Sequence, residues 1–158
     1  MKMKLFLLAL TLATFSCEKT TDEPISDTEQ EKMKGEVQIV VNNLFKGCEE
    51  ANFEMVIESC YDSPDFVYLF NGKTLTYKEF TESLKAVYEK MVNQEVTIID
   101  EKFAVLDNVT ILYTTNCTFL ENYKDGHTFL ADPMAMLFIF KKIDGRWRWI
   151  YGVESYGQ

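Results

Sequence analysis

The chain has 158 residues, enough for one globular domain with a short additional segment. Hydrophobic residues make up 47% of it and aromatic residues 14%, which is sufficient for a packed core. Lysine and arginine together number 16 against 25 acidic residues, so the formal charge is -9. This sign argues against binding to nucleic acid, whose phosphates require clustered cations, and against electrostatic adsorption to anionic lipid headgroups.

Residues 1–16 have the anatomy of a cleavable signal peptide. A short lysine-containing start is followed by an apolar run over 5–15, which is too short to span a bilayer. The small residue Ser16 follows this run. The next residue, Cys17, makes the segment resemble a bacterial lipobox, in which the cysteine is acylated and becomes the new N-terminus. The alternative is an ordinary signal peptide cut near Ser16, with Cys17 incidental.

Residues 17–28 are polar and acidic and contain Pro24, so they predict a flexible tether between a lipid on Cys17 and the domain. The charged residues directly after Cys17 resemble the surface-export signal of Bacteroidetes lipoproteins. The N-terminal segments therefore predict a lipid-anchored protein of the bacterial cell envelope, at the outer membrane and on its periplasmic or surface side.

Residues 29–158 show the pattern of one α+β domain that begins with helices. Apolar residues recur at spacings of three and four and predict a long first helix with Gly47 as its C-cap. A shorter helix follows and stops before Pro64. Thr76 and Glu79 form the T-x-x-E capping-box pattern that starts a third helix. The predicted buried stripe of that helix consists of Phe80, Leu84, Val87 and Met91.

Strands occupy the rest of the domain. Residues 66–70 predict a short strand that ends at an Asn71-Gly72 turn. Beyond Asn93 the apolar period changes from 3.6 to 2, and favourable turn pairs separate four segments that predict sequential antiparallel strands. Pro133 predicts a bulge or bend within the third of them. The four predicted long strands are 95–106, 109–123, 127–143 and 146–155.

Two properties of these strands, their apolar pattern and their length, predict a dimer interface and a pocket. Phe138 and Phe140 face one way while Leu137 and Ile139 face the other, so both faces of the sheet need cover. Three helices can cover one face, and a second copy of the chain is the expected cover for the other, giving a homodimer through the sheet. Strands of this length also curl, and a curled sheet closed by helices encloses a pocket.

Three cysteines follow Cys17, namely Cys48, Cys60 and Cys117, and an odd number cannot pair completely. A disulfide between Cys60 and Cys117 is compatible with an oxidising compartment. The alternative is that all three are buried free thiols.

The order of elements, the segment 63–68 (SPDFVY) and the ending 144–149 (DGRWRW) resemble the nuclear transport factor 2-like superfamily, in its SnoaL-like branch. The resemblance covers residues 29–155. It implies a cone-shaped α+β fold in which a curved antiparallel sheet is wrapped by three N-terminal helices, with a cavity under the helices and frequent homodimers. Members include isomerases, dehydratases, polyketide cyclases and binding proteins, so the fold does not settle the function.

Catalytic members of that superfamily generally place an aspartate on the cavity wall, where it moves a proton next to a carbonyl. The candidates here are Asp132, in an otherwise apolar strand, and Asp65, before the first strand. Their alternative roles are a bulge carboxylate bonded to backbone amides and a residue that organises the turn. The single histidine, His127, is expected at an exposed turn, and Glu154 is expected to pair with Arg148.

Aromatic, methionine and amide side chains of the strands are the candidates for the cavity wall, although such rows are more often simply core. No metal-ligand cluster, phosphate-binding loop or nucleophile elbow is visible in the sequence, so neither a metal nor a cofactor is predicted. The predicted lining residues are Tyr68, Asn116, Met136, Trp149 and Tyr151.

Two principal functions follow. The first is an exported lipoprotein whose cavity binds a small apolar or amphipathic ligand, or a protein partner, without catalysis. The alternative is a ketosteroid-isomerase-like or dehydratase-like enzyme with an aspartate base; a scaffold subunit without a ligand is a third possibility. Placement discriminates between the first two, because two or more titratable groups converging in one pocket would favour chemistry.

Overall fold

Three helices and six strands make up the described part of the chain, residues 24–157 of a computed structural model. The predicted signal peptide, Cys17 and most of the predicted tether lie outside the described residues. None of the described helices is both long enough and apolar enough to cross a membrane. In chain order the elements are α1 (Asp27–Glu49), α2 (Phe53–Glu58), β1 (Val67–Phe70), β2 (Lys73–Leu75), α3 (Tyr77–Tyr88), β3 (Met91–Asp107), β4 (Thr110–Tyr123), β5 (Thr128–Ile143) and β6 (Arg146–Tyr156).

The ends of α1 differ from the prediction at both sides. The helix begins at Asp27, inside the predicted tether, because the Ser26 Oγ accepts a hydrogen bond from the Glu29 N–H at 3.3 Å and caps it. The predicted C-cap at Gly47 is wrong, since Gly47 is an interior, buried helix residue. A Cβ there would lie 3.0 Å from Val56 Cγ2, so glycine lets α2 approach α1 closely.

The start of α3 is as predicted. Thr76 Oγ1 accepts from the Glu79 N–H, while the Glu79 carboxylate accepts from the Thr76 N–H at 2.9 Å, which completes the capping box. The predicted buried stripe is only partly correct. Phe80 is buried, but Tyr88 takes the place expected for Val87, which is 39% exposed.

The six strands form one curved mixed sheet in the order β2-β1-β6-β5-β4-β3. The last four are sequential antiparallel neighbours, as predicted. β1 pairs in parallel with β6, so the sheet is not antiparallel throughout. The Asn71-Gly72 turn has positive φ at both residues, which is the geometry of a tight hairpin, and it leads into β2, a strand that the sequence analysis missed.

Bulges bend the long strands around the helices. The predicted bulge at Pro133 is confirmed, because the pairing register between β4 and β5 shifts between Cys117 and Phe119, opposite that residue. A second register shift, between Ile139 and Phe140, leaves one extra residue in β6. The concave face packs on the helices; for example, the rings of Phe45 in α1 and Phe119 in β4 lie 6.3 Å apart.

The three described cysteines are free thiols, so Cys60 and Cys117 do not form a disulfide. Both are buried, and burial raises the pKa of each thiol, that of Cys117 to about 12. They act here as small apolar residues of the core.

Candidate functional site

A cavity of about 480 Å³ lies between the concave face of the sheet and the three helices. All three helices contribute lining residues, including Leu44 of α1, Val56 of α2 and Leu84 of α3. Four lining residues are also exposed to solvent, Ser83 and Val87 on α3 and His127 and Thr128 where β5 begins, which places the opening between α3 and the turn that joins β4 to β5. This volume falls within the roughly 300–1,000 Å³ of pockets that hold small molecules.

Aromatic rings form the innermost wall of the cavity. The ring of Trp149 lies 5.2 Å from that of Phe138 and 5.3 Å from that of Phe80. Its Nε1–H donates to the Ser59 Oγ at 3.0 Å, which fixes the indole orientation. Gly152 makes room for these rings, since a Cβ on it would lie 2.9 Å from Tyr68 Cδ2.

Glu154 places a carboxyl group among these apolar side chains. It lies on β6 on the same face as Gly152, opposite Met136 of β5 and Phe70 of β1. Burial raises the pKa of this carboxyl from its ordinary 4.5 to about 7, a hydrogen bond with the Tyr68 hydroxyl acts in the opposite direction, and the nearby Glu121 raises it further. The side chain keeps some exposure only because it borders the hollow.

The polar neighbours of Glu154 are weak acids that stay protonated at neutral pH. Burial raises the pKa of Tyr68 and Tyr88 well above the ordinary tyrosine value, and raises that of the Cys48 thiol to about 12. All three side chains line the cavity. Each can therefore donate a hydrogen bond, and none can supply a positive charge to Glu154.

The rim of the cavity carries a second polar group of residues. The imidazole of His127 stacks on the ring of Tyr123 at a centroid distance of 4.1 Å and is bonded through Nδ1 to Asp125. The Tyr123 hydroxyl donates to the Glu121 carboxylate. The prediction that His127 lies at an exposed turn is confirmed, since its side chain is 56% exposed, but it also borders the cavity.

Three of the five predicted lining residues, Tyr68, Met136 and Trp149, line the cavity. Asn116 does not, because it lies on the convex face of β4 and donates to Asp100 at 3.0 Å. Tyr151 does not either. The extra residue in β6 reverses the alternation after Trp149, so that Tyr151 pairs with Ile139 on the convex face.

The same reversal explains why sequence analysis missed Glu154. Strict alternation from Trp149 places residue 154 on the convex face, whereas the bulge turns it inward. A glycine inside a strand is a signal of a bulge or of close packing, and Gly152 is the one sequence feature that pointed to it. The predicted pairing of Glu154 with Arg148 is wrong, because Arg148 borders a separate shallow hollow beside Glu58.

Neither predicted catalytic aspartate lines the cavity. Asp132 is exposed at the β5 bulge, next to Pro133. Asp65 is exposed as well, and it is Ser63 Oγ that holds the turn, by accepting from the Asp65 N–H at 3.1 Å. Within residues 24–157 there is also no group of three or more histidine, cysteine or acidic side chains arranged to hold a metal ion.

The chain matches no family model and no curated protein sequence. Solved structures are similar to it, among them a nuclear transport factor 2-like superfamily protein from Salmonella enterica, with a TM-score of 0.72 at 13% identity over 82% of this chain and 94% of that one.

Two further similar structures differ in their described roles. A hexachlorocyclohexane dehydrochlorinase from Novosphingobium barchaimii has a TM-score of 0.69 at 11% identity, covering 84% of this chain and 92% of that one. The association domain of CaMKII from C. elegans has a TM-score of 0.63 at 13% identity, covering 82% and 99%. On this structural similarity, the chain has the nuclear transport factor 2-like fold.

Proposed function

We propose that the domain binds a small amphipathic molecule in the cavity. The observation that carries this proposal is a hollow of about 480 Å³ with an aromatic wall and one deeply placed carboxyl group, Glu154. Binding sites for small molecules are typically apolar, with a few polar groups that fix the orientation of the ligand. Here the rings around Trp149 supply apolar contact, while Glu154 and Tyr68 supply the polar recognition.

Mass spectrometry of the protein purified from its own membrane tests this proposal, because a cavity ligand is released on denaturation. Met136→Trp is expected to abolish retention by filling the cavity, since Met136 lines it. Ala135→Trp is the matched control, since the neighbouring Ala135 is exposed on the convex face. Retention of the same molecule by both variants would contradict binding in this cavity.

A second candidate function is proton-transfer catalysis, favoured by the convergence of Glu154 with the Tyr68 hydroxyl. A general base works best with a pKa near the operating pH, and a tyrosine hydroxyl can donate to a developing enolate oxygen. The similarity to a dehydrochlorinase is compatible with such chemistry. The base would then be Glu154 and not Asp132 or Asp65.

Isomerisation of a β,γ-unsaturated ketone, followed by the absorbance of the conjugated product, tests the catalytic alternative. Glu154→Gln is expected to lower the rate by at least about 100-fold, and Tyr68→Phe by a smaller factor. Wild-type turnover that is no faster than the Glu154→Gln variant would leave binding as the function.

We also propose that Cys17 carries the lipid that anchors the domain to the cell envelope. With α1 beginning at Asp27, the tether would run from Cys17 to Ser26. Incorporation of a labelled fatty acid in cells is expected for the wild type and for Cys48→Ala, but not for Cys17→Ala. An unlabelled wild-type protein would indicate an ordinary signal peptide, and protease treatment of intact cells would report the membrane face.

A homodimer through the convex face of the sheet is the proposed assembly. Leu112, Leu137, Ile139 and Val153 are half-buried neighbours on that face, and one structure of similar fold is an association domain. Light scattering is expected to give twice the monomer mass for the wild type and the monomer mass for Leu137→Glu. Ile39→Glu is the control, since Ile39 is 63% exposed on α1. A monomeric wild type would contradict the assembly.

A further inference from the structure

We propose that the cavity selects organic cations: its ligand carries an ammonium group that pairs with Glu154 and an apolar body that contacts the aromatic wall. The inference rests on the proposed binding function and adds the chemical class of the ligand. Neutral molecules of the same shape bind more weakly, and carboxylates are excluded.

The charged side chains that line the cavity favour a cationic ligand. Two carboxyl side chains, Glu154 and Glu121, border the cavity, and none of the described residues that line it is a lysine or an arginine. An anionic ligand would therefore meet like charges in a poorly solvated space, where Coulomb repulsion is stronger than in water. A cationic ligand would meet opposite charge at both carboxyl groups, and the histidine of the lining, His127, lies at the exposed rim, where it is bonded to Asp125.

The side chains immediately around Glu154 also favour a cationic ligand. The titratable groups near it are Cys48 from α1, Tyr68 from β1, Tyr88 from α3, Glu121 and Cys117 from β4 and Tyr156 on β6, while β5 contributes Met134 and Met136. None of these groups is a cation at any accessible pH. A buried carboxylate normally requires a cationic partner, so an ammonium ligand would supply the counter-ion that the described residues of the cavity do not provide.

The aromatic wall supplies a further attraction for cations. Beside Glu154, the half-buried rings of Phe70 and Tyr156 line the cavity, and their centroids lie 5.8 Å apart. Ring faces attract ammonium groups within about 6 Å, most strongly at indole. A carboxylate beside several ring faces is the arrangement by which proteins recognise amines and quaternary ammonium groups.

Because binding of a cation is linked to ionisation of Glu154, the affinity for a cationic ligand is expected to depend on pH. An ammonium ligand binds the deprotonated form of Glu154, so its affinity rises as that form becomes populated through the group's pKa of about 7. Between pH 6 and pH 8 the expected gain is about ten-fold. A ligand that presents a carbonyl or ether oxygen prefers the protonated carboxyl, and its affinity falls over the same range.

Three probes with one skeleton test the inference: 2-naphthylmethylammonium, 2-naphthalenemethanol and 2-naphthoate, titrated into the purified protein by calorimetry at pH 6 and pH 8. The ammonium is expected to bind at least about ten-fold more tightly than the alcohol at pH 8, and the carboxylate not at all. Glu154→Gln removes the advantage of the ammonium but retains binding of the alcohol. Glu95→Gln, which removes a charge from the exposed face of β3, retains the full preference.

Methyl NMR of Met134 and Met136, which both line the cavity, locates each probe and confirms that the variants are folded. Equal or tighter binding of the alcohol, or any cavity binding of the carboxylate, overturns the cation inference and leaves the binding function intact. If no probe perturbs these methyl groups, both the inference and the proposed binding function are wrong.

Discussion

Replacing Glu154 by glutamine is expected to change how the stability of the protein depends on pH. The pKa of Glu154 lies above its ordinary value in the folded protein because burial disfavours the charged form. A raised pKa of this kind contributes stability that is fully present below pH 4.5 and is lost as the pH rises through about 7. Glutamine keeps the shape and the polarity of the protonated acid and removes the ionisation.

The magnitude follows from the two pKa values. A difference of one pKa unit corresponds to about 1.4 kcal/mol, so the change from 4.5 to about 7 corresponds to about 3 kcal/mol at full ionisation. Relative to the wild type, Glu154→Gln is therefore expected to gain up to about 3 kcal/mol in free energy of unfolding between pH 5 and pH 8. Solvent that enters the cavity would reduce this figure.

Urea denaturation of both proteins at pH 5, 6, 7 and 8 measures the difference. Glu95→Gln serves as the control, because it removes the same charge from the exposed face of the edge strand β3. If the difference between Glu154→Gln and the wild type stays constant across this range, the carboxyl is not desolvated and the description of the cavity is wrong.

Three further predictions concern packing and ionisation. Gly152→Ala is expected to destabilise the fold by roughly 1–3 kcal/mol, because the added Cβ would lie 2.9 Å from Tyr68 Cδ2. Gly35→Ala, whose Cβ would meet nothing within 4 Å, is expected to stabilise the fold by about 0.5–1 kcal/mol. Equal effects of the two substitutions in thermal unfolding would refute the packing argument. Glu36→Ala is expected to lower the free energy of unfolding by about 1–2 kcal/mol above pH 5 and by less at pH 3, because the Lys142 Nζ donates to Glu36 at 2.7 Å and holds the pKa of this carboxyl low. A loss of stability that does not depend on pH would contradict this ion pair. The buried thiols of Cys60 and Cys117 are expected to react with iodoacetamide only after denaturation, as counted by intact mass on the Cys48→Ala variant. Rapid labelling of that variant in its native state would contradict their burial.

Local signals in the sequence were sufficient for most of the fold. The capping box at Thr76 and Glu79 started α3 where it was predicted, and the change of apolar period marked the four long strands. These features depend on contacts between residues close in the chain or on simple alternation. The parallel pairing of β1 with β6 depends on residues far apart in the chain, and no local pattern encodes it.

The candidate site was less predictable because it depends on the register of β6. One extra residue after Trp149 turned Tyr151 outward and Glu154 inward, so alternation alone gave the wrong face for both. Gly47 shows the same limit, since a glycine near a helix end resembles a cap, while close packing against Val56 is visible only in three dimensions. The aspartates at 65 and 132 are catalytic candidates by residue type alone, and their exposure follows from a turn and a bulge.

The most direct test of the account is the titration of the Glu154 side-chain carboxyl by carbon-13 NMR, assigned with Glu154→Gln. A carboxyl that borders an apolar hollow is expected to titrate with a midpoint near pH 7, and the midpoint is expected to fall when 2-naphthylmethylammonium is added. A midpoint near the ordinary 4.5, unchanged by the amine, would mean that water reaches Glu154 freely and that the cavity is not the site described.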